Sequence, residues 1–259
     1  MTNDSVLFEQ IMQELKDFRS LNLNEMDNVK LMNRTDIKFV FHLDKLKIVL
    51  QNLKENYKVL EIMNNRISNY ETLYFDTEKY DLYLNHHNGK SNRYKIRCRK
   101  YVESNLNFFE IKFKNNKSRT IKNRIKLESI EQSLSKAAKK FLRSIANIKA
   151  ESLKPVCWIN YSRITLVNND LTERVTLDID LTMKNEQGEK TFEFLVIAEL
   201  KQDGNSIKSF FHQVMNKNKI RKISISKYCF GITQLFPKIK QNLFKPKLLT
   251  LKKIMYVTS

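Results

Sequence analysis

Residues 92–101 read NRYKIRCRKY, and their alternation decides the fold. Successive side chains of an extended strand point to opposite faces, so Arg93, Lys95, Arg97 and Arg99 share one face while Tyr94, Ile96 and Cys98 share the other. The following runs repeat the arrangement. In FFEIKFK, residues 108–114, Glu110, Lys112 and Lys114 oppose Phe109, Ile111 and Phe113, and in TIKNRIKL, residues 120–127, Lys122, Arg124 and Lys126 oppose Ile121, Ile125 and Leu127. RVTLDIDL, residues 174–181, sets Arg174, Asp178 and Asp180 against Val175, Leu177, Ile179 and Leu181, and Glu193, Glu199 and Lys201 share a parity farther on. One such strand is an ordinary sheet with a wet face. On several strands in succession, like charges would repel at sheet spacing unless an anion sat among them. The recurrence therefore predicts an α+β fold built on a closed antiparallel β-barrel of about eight strands. Its charged face would turn inward as a water-filled cationic tunnel, and its apolar faces would pack outward against helices.

The flanking sequence supplies further strands and those helices. ISNYETLYFD (67–76), CWINYSRITLV (157–167) and KTFEFLVIAELK (190–201) have strand length, and HHNGKSN (86–92), KNNKSR (114–119) and NEQG (185–188) read as turns. Helical spacing appears in residues 5–32, 43–57, 128–148 and 204–217. With no internal repeat and no linker, one domain is expected: residues 1–30 as an N-terminal helical segment packing on the barrel, and 31–259 as the tunnel domain.

The 47 Lys and Arg against 28 Asp and Glu point to a polyanionic partner such as nucleic acid, an acidic membrane or a phosphate compound. No helix-turn-helix, zinc finger or RNP-type aromatic strand accompanies the charge, so nucleic acid is not the expected partner. Cys98, Cys157 and Cys229 match no zinc spacing, which suits a reducing cytoplasm. No window approaches the ~18 apolar residues of a spanning helix, so no membrane span is expected.

Ordered blocks of the chain, namely LMNRTDIKFVF (31–41), ETLYFDTEKYDLY (71–83), HHNGKSNRYKIRCRKY (86–101), FEIKFK (109–114), INYSRITL (159–166), IAELK (197–201) and ISISKYCFGI (223–232), carry a family resemblance. They resemble the VTC domain, the polyphosphate polymerase module of the vacuolar transporter chaperone complex and its bacterial relatives, within the CYTH-like triphosphate tunnel enzymes. The resemblance implies transfer of the terminal phosphate of ATP to a growing polyphosphate chain. It assigns Lys38, Arg97, Arg99, Lys112 and Arg163 as catalytic cations. Arg34, Lys122, Tyr161, Ser226 and Lys227 become phosphate contacts, Arg124 is added to them from its place on the charged face of 120–127, and the resemblance makes Glu199 the ligand of Mn²⁺ or Mg²⁺. The implied partners are ATP and inorganic polyphosphate. A membrane-protein partner, and a monomeric or homodimeric state, stay open.

Two departures stand out. Ser224 occupies a position where the family has a lysine, and Lys222, two residues earlier with the same strand parity, is the candidate replacement. Arg34, Asp36 and Lys38 replace the ExExK motif of other CYTH enzymes, which implies metal binding by fewer carboxylates. Asp76, Asp178 and Asp180 are expected to pair with tunnel arginines, and His86 and His87 to sit in a turn. A triphosphatase that admits water as acceptor, and a non-catalytic polyanion-binding module, are the alternative functions.

Overall fold

The structure is a computed structural model that describes residues 3–26, 34–117, 119–203 and 209–256. In chain order, α1 (Asn3–Lys16), β1 (Arg19–Leu21) and α2 (Leu23–Met26) precede β2 (Arg34–His42), α3 (Leu46–Leu53) and β3 (Tyr57–Leu60). A meander follows: β4 (Ile67–Thr77), α4 (Asp81–His87), β5 (Arg93–Tyr101), β6 (Leu106–Lys114) and β7 (Thr120–Leu127). After α5 (Lys136–Ile145) come β8 (Leu153–Asn168), β9 (Glu173–Asn185), β10 (Gly188–Phe192) and β11 (Leu195–Asp203). The chain ends in α6 (Phe210–Lys217), α7 (Lys227–Leu235) and α8 (Lys245–Tyr256).

The strands form one sheet of eleven, whose main path runs β2-β11-β9-β8-β4-β5-β6-β7 with antiparallel neighbours throughout. The expected closure is not observed, for among the described residues β2 and β7 share no ladder. The edge of β2 that closure would need is already occupied. The Ile223 N–H donates to the Lys38 carbonyl at 2.8 Å, and Lys222 bridges Phe39. The result is a curled, open sheet whose concave face carries the charged parity of β5, β6 and β7.

Apolar side chains of the opposite parity meet helices on the convex face. Phe39, Phe41, Val175, Leu177, Ile179 and Ala198 pack with Ile11 and Leu15 of α1, Val49 and Leu50 of α3 and Phe211 of α6. Ile96, Cys98, Phe109 and Ile111 pack with Ala138 and Leu142 of α5, whose first turn is capped by Ser135 accepting from the Ala138 N–H.

The concave face is not a water-filled tunnel from end to end. Asp180, at φ +51°, bulges β9 opposite the β8 segment Asn160–Ser162 and reverses the parity beyond it. Leu181 and Met183 therefore join Ile159 and Cys157, and α7 with Tyr228, Phe230 and Ile232 plugs this end. The approach is close: a Cβ on Gly231 would stand 3.0 Å from Ile159 Cδ1. Asp180 is left exposed, away from the arginines it was expected to meet. Two more expectations change. Residues 223–226 are not a strand, and His86 and His87 form the last turn of α4. The C-terminal tail, unassigned from its sequence, folds as α8.

Candidate phosphate-binding site

Strand register sets the site. Lys95 of β5 stands opposite Lys112 of β6, which stands opposite Lys122 of β7; one pleat along, Arg97, Glu110 and Arg124 line up in the same way. On the other arm of the curl Arg163 of β8 faces Asp178 of β9, and Lys38 of β2 faces Glu199 of β11. These side chains share the concave face, but their surroundings divide them into two groups.

In the first group each cation has a carboxylate or an aromatic face. Arg97, 6 % exposed, places Nε 2.7 Å and Nη2 2.6 Å from Glu110 Oε2 and Nη1 3.0 Å from the Tyr74 hydroxyl, while Lys122 pairs with the other oxygen of Glu110. Burial alone would raise the Glu110 carboxyl, but Arg97, Arg99 and Lys122 hold it well below its usual range. Arg163 grips Asp178 in two-point fashion at 2.5 and 2.9 Å, and Lys227 shares that carboxylate. Burial opposes ionisation of Asp178, yet the two cations bring its pKa down to about 2. Tyr161 stacks on Tyr70 at 5.1 Å, with Arg163 4.9 Å from the Tyr70 centroid, Arg99 5.4 Å from it and Lys227 4.6 Å from the Tyr161 centroid. Arg99 also donates to Thr72 Oγ1 at 3.2 Å. Arg124 lies over Phe108 at 4.3 Å.

The second group lines a cavity of about 250 Å³ between the two arms of the curl, bordered by Lys38 of β2, Arg93 and Lys95 of β5, Lys112 and Lys114 of β6 and Glu199 of β11. Ser224 and Ser226 also border it. Lys95 donates to the neutral Ser226 hydroxyl at 2.9 Å, and burial, with Lys38, Arg97 and Arg93 nearby, lowers its pKa to about 8. Lys112 is also lowered well below its ordinary value, first by the Arg97 charge and then by burial. Lys227, at the mouth of α7, is brought down to about 8 mainly by burial, against the pull of Asp178. Lys95 and Lys112, depressed and crowded in one hollow, would be relieved by an anion with several charges. Ser226 is also the N-cap of α7, its Oγ accepting from the Cys229 N–H at 3.3 Å, so the positive end of that helix opens at the cavity.

Glu199 sits 3.3 Å from Lys38 and 3.6 Å from Lys201, and these charges overcome its burial to keep it ionised. It and Asp36 are the carboxylates bordering the cavity. Among the described residues no group of three or more His, Cys, Asp or Glu could hold a metal ion by itself. A divalent cation fits here as Mg²⁺-type ions commonly do, through one or two carboxylates with the remaining oxygens supplied by bound phosphates.

The structure thus places Lys38, Lys112, Ser226 and Glu199 on the cavity and Arg97, Arg99, Lys122, Arg124, Tyr161, Arg163 and Lys227 on the same concave face beside it. The side chain of Arg34 lies outside the described residues. Lys222 does not replace a lysine at position 224: with 222–226 irregular, strand parity fails, and Lys222 lines a separate hollow with Val40, His42 and Ile220. The cation bonded to Ser226 is Lys95, whose parity put it on the right face but which the resemblance passed over. Among the described residues Asp76 pairs with no tunnel arginine; it accepts from the N–H groups of Thr77, Leu82 and Tyr83 and from the Tyr228 hydroxyl, tying α4 to α7.

Several solved structures are similar in outline. A Hippeastrum putative adenylyl cyclase, described as having a dominant triphosphatase activity, aligns with 77% of this chain and 96% of its own at 10% identity and TM-score 0.49. A putative adenylate cyclase from Vibrio parahaemolyticus aligns over 75% and 97% at 10% identity and TM-score 0.44, and the PH1819 protein of Pyrococcus horikoshii over 78% and 99% at 13% identity and TM-score 0.43. Likenesses of this strength say nothing about what this chain acts on. No curated protein matches the sequence. The family profile described as "VTC domain" matches residues 33–236, from the start of β2 to the end of α7, and on that match the chain belongs to the VTC domain family.

Proposed function

We propose that the protein is a polyphosphate polymerase, passing the terminal phosphate of ATP to the end of an inorganic polyphosphate chain. The observation that carries this reading is the cavity of crowded, depressed lysines in a member of the VTC domain family. In the proposed reaction a terminal oxygen of the polyphosphate forms a bond to the γ-phosphorus. The bond from that phosphorus to the β,γ-bridging oxygen breaks, and ADP leaves with the electron pair.

Phosphoryl transfer asks the protein for alignment and charge neutralisation more than for covalent chemistry. Lys38, Lys95 and Lys112 would meet the phosphate oxygens directly. Arg97, Arg99 and Arg163, fixed by Glu110, Thr72 and Asp178, would hold the positive potential behind them and keep the track rigid. Lys122, Arg124 and Lys227 extend that track, and Ser226 and the Tyr161 hydroxyl would add hydrogen bonds. Glu199 would hold Mn²⁺ or Mg²⁺, which when bound supplies charge neutralisation on the donor phosphates.

Incubation of the purified protein with ATP and Mn²⁺ or Mg²⁺ should yield ADP together with a polyphosphate ladder on a urea gel. Release of ADP and free phosphate without the ladder would replace the polymerase by a triphosphatase, and binding without turnover would leave a polyanion-binding module.

A further inference from the structure

The cavity has a second kind of wall that phosphate recognition does not use. Besides the lysines, its lining includes Phe244, Leu248 and Leu251 from the C-terminal segment, with Ile223 and Ile225. The segment lies past the residues that match the VTC domain, yet it is fastened to α4. The Tyr83 hydroxyl donates to the Lys240 carbonyl at 2.8 Å, and the Leu243 N–H donates to His87 Nε2 at 3.2 Å. Phe244 is held by the rings of Tyr83, His86 and His87 at centroid distances of 6.0, 6.1 and 5.1 Å.

An apolar wall does nothing for phosphate oxygens, which want cations and donors. It suits a flat, weakly solvated ring carried on the same molecule as the phosphates. His86 also lines the cavity. Burial, helped by Lys95, Arg93, Lys247 and Lys114, lowers its pKa to about 2, so its imidazole is uncharged at working pH and leaves the phosphates to the lysines.

We infer that Phe244, Leu248, Leu251 and His86 form a nucleoside subsite, receiving the base and ribose of a nucleoside triphosphate whose phosphates lie on the lysines. The inference rests on the triphosphate-handling reading of the cavity. It assigns donor selectivity to the C-terminal segment.

The test is a calorimetric titration of the full chain, with Mg²⁺ present, using two ligands: the β,γ-imido analogue of ATP, and inorganic tripolyphosphate, which has no nucleoside. Phe244→Ala should raise the ratio of the analogue's Kd to that of tripolyphosphate about tenfold, the order of one lost base–aromatic contact, and Leu248→Ala, which removes an aliphatic contact, should raise it in the same direction by less. Leu248 is half-buried and exchangeable at small cost to folding, and the thermal unfolding of each variant guards against misreading a folding defect. An unchanged ratio in both folded variants, with the native protein binding the two ligands, would overturn the nucleoside subsite and leave the phosphate site standing. Failure of the native protein to bind either ligand would instead overturn the proposed function, and this subsite with it.

Discussion

Arg97 and Lys95 are two residues apart on β5 and point into the same concavity, yet they are electrostatically opposite. Arg97 is answered by Glu110 and Tyr74, while among the described residues Lys95 donates to a neutral serine hydroxyl and sits among other cations. The same contrast separates Arg163, clamped on Asp178, from Lys112, whose nearest strong influence is the repelling charge of Arg97. Cations on a buried carboxylate brace the curled sheet: Arg97 and Lys122 share Glu110, and Arg163 and Lys227 share Asp178, so each carboxylate answers one of two charges while fixing both side chains. Cations without one, such as Lys95 and Lys112, are costly in the free protein, and under the proposed function that cost would be recovered on binding a polyanion. Bracing and binding are therefore assigned to different residues of the same alternating pattern.

The sharpest way to break this contrast is to remove the brace. Glu110→Gln keeps the shape but leaves Arg97 and Lys122 facing an uncharged amide, and urea denaturation should show a loss of roughly 3 kcal/mol. Lys112→Ala should act with the opposite sign on stability, leaving it unchanged or slightly raised, while weakening tripolyphosphate binding by at least about tenfold in a titration. If both variants lost stability alike, the division between bracing and binding cations would fail.

A gentler probe is pH. The folded pKa of Lys95, about 8, lies below the ordinary 10.5, so between those values the unfolded chain carries more protons than the folded one. In that window Lys95 contributes increasing stability as pH rises, while its grip on phosphate is lost with its proton. Triphosphate affinity should decline from about pH 7 to about pH 9, and Lys95→Met should flatten the Lys95 part of that decline. A steeper decline in the variant would contradict the assignment. The smallest effect is expected of Lys222→Ala, which should change tripolyphosphate affinity by less than about twofold because Lys222 lines another hollow.

The period-2 pattern made the charged faces that carry Arg97, Lys112 and Lys122 legible, since side-chain alternation is fixed by the local backbone alone, while Arg163 is named only by the family resemblance. The family blocks added which of those residues the resemblance assigns to phosphate. Four features stayed hidden because they depend on long-range partners. The sheet stays open because residues 222–223 take the edge of β2, and the parity of β9 reverses at a bulge on Asp180 that no turn residue announces. The different fates of Lys95 and Arg97 follow from cross-strand register, which sets Glu110 opposite Arg97 and another lysine opposite Lys95. The wall supplied by Phe244 and α8 exists only because α4 anchors it, and a basic-apolar tail gives no sign of that anchor.

The most direct measurement of whether the unanswered lysines receive the ligand is proton exchange on binding. Tripolyphosphate is titrated into the protein at about pH 8.5, half a unit above the lowered pKa of Lys95, in buffers of different ionisation enthalpy. Net proton uptake is the expected result, because phosphates drawn onto Lys95 and Lys112 restore their charge. Binding with no uptake, or with proton release, would contradict it and would place the ligand elsewhere on the molecule.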